Sequence, residues 1–204
     1  MFHDSIFVVD TETSGLCGYP EDLIFEIGIV EVNLRTLNIE IAYNEVIGYP
    51  IEDLTVEQQK AWIFDHSTLN LESVLKGKAI QEVAVDVQNL LNDKLVAMYN
   101  VAYDYEKFLK YEPFKLECTI LPCIMKKSTK HCKVPHPHPK FKYKWPKLIE
   151  AQEILLDGIE IPDFIDPHRA ISDAFISAKI LLKLISNYDY PLNEYLKFDN
   201  VTSV

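Results

Sequence analysis

Asp10 and Glu12 stand two residues apart at the end of an apolar run, Ile6 to Val9. At strand periodicity both carboxylates project to one side of a sheet, with Thr11 and Thr13 on the other. Carboxylates held side by side repel unless a cation lies between them, and Mg²⁺ and Mn²⁺ both take carboxylate oxygens. The chemistry open to such a pair is metal-assisted hydrolysis, provided further acids and a base converge on it. An Asp-x-Glu at a strand end is more often a solvated turn, so the weight falls on acids and bases further along the chain.

Two more acids and a histidine lie at helix entrances. Asp104 falls in the first turn of a helix that Asn100 is suited to cap. That helix follows the apolar run Leu95 to Tyr99, which places Asp104 above a strand's carboxyl end, where open α/β sheets put their sites. A lone first-turn carboxylate ordinarily just complements the helix dipole. Asp173 is harder to set aside. It interrupts an apolar stripe beside Ala174 and Phe175, where an unpaired carboxylate is costly unless a metal offsets it. His168, directly after Pro167 at the mouth of the same helix, is a candidate to take a proton from water near neutrality.

The elements that must position these groups are read from hydrophobic periodicity. Residues 6–13, 21–32 and 38–47 read as strands joined by short turns, an antiparallel meander. Residues 56–64 are the best helical stretch of the next segment, which Gly77 ends. Ile80, Val83, Val87, Leu90 and Leu91 form one stripe of a helix over 80–92. A buried strand at 95–99, a helix over 101–111 and a short strand within 118–124 come next. Residues 126–143 read as a basic loop in which Pro135, Pro137 and Pro139 alternate with His136 and His138. Pro146 suits the first turn of a helix to about residue 156. Ile171, Ala174, Phe175, Ala178, Leu181, Leu182 and Ile185 mark a long core-facing helix. The sum is an α/β domain over 1–187, with the basic loop at 126–145, and a loosely packed C-terminal extension over 188–204.

Across 204 residues the net charge is −11, which argues against a polyanionic partner only if charge is evenly spread. It is not. From Lys126 to Lys147 there are eight lysines and no acid, leaving 12 basic against 31 acidic residues elsewhere. A +8 stretch in a chain that is otherwise −19 is what a polyanion meets at close range. The four cysteines, without a secretory leader, point to reduced thiols rather than a disulfide framework. No apolar run reaches membrane-spanning length, and the chain reads as cytoplasmic, with no membrane partner.

Asp10-Thr-Glu12 followed by Thr-Ser-Gly-Leu, Glu26-Ile-Gly-x-Val, Asn100-x-x-x-Asp104 with Phe108-Leu109, and His168-Arg-Ala-x-x-Asp173-Ala together resemble the motifs of the DEDDh, DnaQ-like or ribonuclease-T-like, 3′–5′ exonucleases. The resemblance runs in chain order over about residues 6–186. It implies an RNase H-like fold, with a mixed five-stranded sheet of three antiparallel strands followed by parallel ones, flanked by helices. It implies that Asp10, Glu12, Asp104 and Asp173 bind two divalent metal ions, Mg²⁺ or Mn²⁺, and that His168 is the general base. The expected partner is a single-stranded nucleic-acid 3′ end, DNA or RNA, cut to 5′-mononucleotides. Leu16 is then expected to wedge beside the terminal base and backbone near Thr13 to contact the last nucleotide. Asn100, Lys126, Lys127 and Lys130 complete the expected substrate contacts. A polymerase or another repair or replication protein stands as a further expected partner. The chain departs from the family pattern at Tyr99, where many members carry histidine, and in the length and basicity of the segment before Trp145-Pro-Lys-Leu.

Two rival readings have sequence support. One is an exonuclease fold kept as a silent nucleic-acid-binding or polymerase-partner module, against which stands the presence of all five chemical positions. The other is a zinc site from Cys123, His131, Cys132, His136 and His138, against which stands the lack of any C-x₂-C pair.

Overall fold

In a computed structural model that describes residues 4–159, 162 and 165–196, the apolar run at the N-terminus becomes β1 (Ser5–Thr13). β1 lies at the middle of the sheet, antiparallel to β2 (Ile24–Asn33), which pairs in turn with β3 (Ile39–Gly48). A 3₁₀ turn at Gln58–Lys60, α1 (Trp62–His66) and α2 (Leu71–Leu75) lead to β4 (Lys78–Ala79), a two-residue strand added at the edge beside β3. Next come α3 (Ile80–Leu91) and β5 (Leu95–Met98), the latter parallel to β1 on its other side. The chain continues through α4 (Val101–Tyr103), a π-helical turn over Asp104–Leu109, and β6 (Thr119–Ile120). After it come α5 (Ile124–Cys132), α6 (Leu148–Leu155) and α7 (Ala170–Asn187), then a 3₁₀ turn at Leu192–Glu194. Strand order is β4-β3-β2-β1-β5-β6, the mixed RNase H-like sheet with a sixth short strand at one edge.

Alternation along β1 builds two cores. Ile6 and Val8 face a layer made by α5, α6 and α7, while Phe7 and Val9 face the layer of α1, α2, α3 and the π-helical turn. Both faces are covered, so β1 and β2 read as nearly continuous apolar runs.

Three stretches differ from their sequence reading. The helix expected over 56–64 is broken at Ala61, whose extended backbone (φ −55°, ψ 140°) separates the 3₁₀ turn from α1. The basic loop expected from residue 126 begins instead as α5. Its packed face is Ile124, Ser128 and Cys132, two of them small, so lysines on the other faces masked the period. The extension expected to be loose is tied down where it is described. Tyr190 and Leu192 are buried in the core, and the Tyr190 hydroxyl donates to the Pro122 carbonyl at 2.7 Å. Among the described residues, no helix is long and apolar enough to cross a membrane.

Candidate active site

Asp10 and Glu12 extend the even-numbered, α7-facing side of β1 past the last apolar residue. Their partners on β2 are Gly28 and Glu26. Gly28 is where the N-terminus of α7 meets the sheet: a Cβ there would lie 2.3 Å from the Ile171 nitrogen, so any side chain would push the helix away. Glu26, fully buried, fixes the same helix end. Its carboxylate accepts from the Arg169 guanidinium, with Nε at 3.0 Å from both oxygens, and from the Ala170 backbone N–H at 2.9 Å. Removing either partner of this pair would strand a buried charge, so Glu26 and Arg169 hold the helix end in place together.

The turn before α7 is clamped as well. Arg169 Nη1 donates to the Thr68 hydroxyl at 2.9 Å, and Thr68 donates to Asp166 at 2.5 Å. The Asp166 N–H donates to the Ser172 hydroxyl at 2.9 Å. Within this frame His168 adopts φ +59°, a left-handed conformation that a non-glycine residue holds at some strain. The Trp62 ring meets His168 edge-on, centroids 5.2 Å apart, and is itself stacked on His66. Glu12, His168 and Asp173 each offer a ligand atom, and these atoms all lie within 4.8 Å of one another.

Asp104 reaches this edge from the opposite layer. It opens the π-helical turn and is buried, and its Oδ1 accepts from the Thr11 hydroxyl at 2.8 Å. Thr11 faces away from Asp10 and Glu12 along β1, so it holds the acid that arrives over the sheet's end. Asn100 occupies the N-cap position of α4, yet its side chain makes no cap hydrogen bond, and its buried Oδ1 has no partner among the described residues.

Electrostatics follow from this crowding. Burial first, then Asp104, Asp173, Glu12 and Glu26, hold Asp10 well above the ordinary carboxylate range. Burial and the charges of Asp173, Glu26 and Asp104 push Glu12 up to about 9, with Arg169 opposing only weakly. Burial takes Asp104 up to about 7 against the Thr11 hydrogen bond, and burial with the Glu26 charge takes Asp173 up to about 7. Arg169 is committed to Glu26, so it leaves the cluster short of positive charge. A half-buried set of oxygen donors in that condition suits a hard divalent cation.

Beside Glu12 a cavity of about 510 Å³ is lined by Thr13, Leu16, Trp62, Ile63 and Tyr103 among others. Its far wall is a well-fixed loop. The Tyr103 hydroxyl bonds Thr13 and donates to the Gly15 carbonyl, and Lys107 Nζ donates to the Leu16 carbonyl. Leu16 itself is 76% exposed at the rim. Lys126, Lys127 and Lys130 lie on α5, whose start is bonded to the Tyr99 carbonyl just past β5. Among the described residues, no group of cysteines and histidines near Cys132 has metal-binding geometry.

Sequence reasoning missed several residues that shape this site. Glu26, one of two acids in β2, was visible only as a letter of a motif, because its partner Arg169 lies 143 residues away. Thr11, Trp62, Thr68 and Tyr103 carried none, because their roles arise from contacts between distant elements.

This geometry sits in a chain whose residues 7–181 match the family model described as Exonuclease (RNase T). The chain belongs to that exonuclease family. A search of curated proteins gives no match. Among solved structures, a full-length 3′-exonuclease is 20% identical with a TM-score of 0.63, over 91% of this chain and 61% of that one. Exonuclease I of E. coli in complex with a dT13 oligonucleotide is 16% identical with a TM-score of 0.65, over 95% of this chain and 43% of that one. A 3′-exonuclease recognising the 3′ end of a histone mRNA stem-loop is 20% identical with a TM-score of 0.60, over 91% and 83%. At these identities the likeness is one of fold, and the chain spans less than two thirds of the first two.

Proposed function

We propose that the chain is a 3′–5′ exonuclease that releases 5′-mononucleotides from single-stranded nucleic-acid ends. Asp10, Glu12, Asp104 and Asp173 would hold two divalent ions, and His168 would act as general base. The observation that supports this reading is that Glu12, His168 and Asp173 offer ligand atoms within 4.8 Å of one another, with Asp10 and Asp104 close enough for their charges to raise the proton affinity of the neighbouring acids. When bound, two Mg²⁺ or Mn²⁺ ions supply relief of charge on the attacking and leaving oxygens of a phosphodiester.

The chain's own residues do the rest. His168 takes the proton of the attacking water, its ring steadied by the Trp62 edge and its backbone by the Arg169–Glu26 clamp. The cavity between Leu16, Trp62 and Tyr103 receives the terminal base and sugar, so the last phosphodiester lies over the acids. The unpartnered Asn100 Oδ1 is an acceptor kept for a donor that arrives with the substrate.

Digestion of 5′-labelled, single-stranded DNA and RNA tests the proposal. In Mg²⁺ or Mn²⁺ a ladder shortening from the 3′ end is expected, slowed by a 3′ block and stopped by a chelator. Cleavage of circular strands, or removal of the 5′ label first, would overturn it.

A further inference from the structure

Between α5 and α6 the chain makes an excursion that the carboxylate site does not use. Residues 134–144 form a narrow hairpin-like arm, with Pro135 bridged to Tyr143 and the Lys144 N–H donating to the Val134 carbonyl at 3.0 Å. Tyr143 separates two open cavities. One, of about 430 Å³, is lined by Lys126, Lys127 and Lys130. The other, of about 420 Å³, is lined by Phe141 and Trp145. Phe141 is 55% exposed and Trp145 is 60% exposed, and the Lys126 ammonium lies 5.3 Å from the Trp145 ring centroid. Lys126, Lys127, Lys133 and Lys140 have no carboxylate partner among the described residues.

Both ends of this segment are pinned to the sheet by one residue. The Tyr99 carbonyl accepts from the Met125 N–H at 2.9 Å and the Cys123 thiol at 3.1 Å, and the Tyr99 hydroxyl donates to the Pro146 carbonyl at 2.9 Å. Tyr99 directly precedes Asn100 at the site edge of β5. Tyr99 thus fixes the basic segment beside the site edge.

We propose that this face is a second binding surface, which takes the single strand upstream of the 3′ end, with phosphates along the lysines and bases on Phe141 and Trp145. It rests on the exonuclease reading for its occupant. Charge complementarity argues for a polynucleotide: the segment is +8 in a chain otherwise −19, so a strand is repelled elsewhere and held here. Exposed rings interleaved with those lysines argue for unpaired bases rather than a duplex.

The test is fluorescence anisotropy of a labelled 20-mer single strand in chelator across a salt series, with circular dichroism confirming that each variant is folded. Replacing Lys126, Lys127 and Lys130 by glutamine should lower the slope of log affinity against log salt by about 2, since each single-strand phosphate contact contributes about 0.7. The arginine triple should keep the slope. Phe141→Ala with Trp145→Ala should weaken binding about thirtyfold or more at every salt with the slope unchanged, at about 1 kcal/mol or more for each stacked base. Native affinity in either the glutamine triple or the aromatic double variant overturns the proposal, as does equal preference for duplex. Cleavage by the native chain is followed in the same preparation with Mg²⁺. Binding without cleavage would fault the exonuclease reading and leave this surface standing.

Discussion

Asp10→Asn and Asp173→Asn should each reduce cleavage by about a thousandfold or more while the chain stays folded. Losing one oxygen donor removes several kcal/mol of charge relief, and each 1.36 kcal/mol is a factor of ten. Stability moves the other way. In the native chain these acids are raised above the ordinary range, so the folded state holds protons that the unfolded state releases. Metal-free stability therefore falls as pH rises from about 4, the unfolded carboxylate value, through about 7 for Asp104 and Asp173 and about 9 for Glu12. An asparagine removes one such cost. In chelator at pH 8 each variant should melt roughly 2–4 °C above native, the shift expected for about 1 kcal/mol in a chain of this size. At pH 4 the gap should close. Added Mn²⁺ should raise the native melting temperature more than that of either variant. Scanning calorimetry at the two pH values checks the sign, and a variant that melts below native in chelator at pH 8 contradicts it.

Loss of the His168 imidazole should lower kcat by about 10²–10⁴-fold, the usual range for a positioned acid–base group, with KM nearly unchanged. The structure says which variant is clean. At φ +59° alanine is strained and glycine is not, so His168→Gly isolates the imidazole where His168→Ala also disturbs the turn before α7. Added imidazole should restore part of the His168→Gly rate, the more so because the His168 ring meets the Trp62 edge in a site open to solvent. Turnover within a few-fold of native in His168→Gly would show that another group activates the water.

The parts of this molecule that were legible in the sequence are those where one element carries its own pattern. β1 and β2 announce themselves as nearly continuous apolar runs, and α3 and α7 by apolar positions recurring at a period of about 3.6. α5 does not, since its inward face is Ile124, Ser128 and Cys132 and its remaining positions are lysine-rich. Asp10 and Glu12 could be paired by spacing alone. That Asp104 hangs from Thr11, or that Glu26 holds the start of α7 through Arg169, depends on elements about 90 and 140 residues apart, which no local period encodes. The same holds for Tyr99. As a letter it was a departure from a family pattern, and only the fold shows its hydroxyl and carbonyl gripping both ends of the basic segment.

The central claim is that the four acids together hold two divalent ions. Isothermal titration of Mn²⁺ into the metal-free chain, with a 5′-mononucleotide present, measures it directly. Two ions per chain are expected for the native protein, with at least one lost in Asp10→Asn and in Asp173→Asn. Binding of the same number of ions in native and variant chains, or no binding in the native chain, would contradict the account.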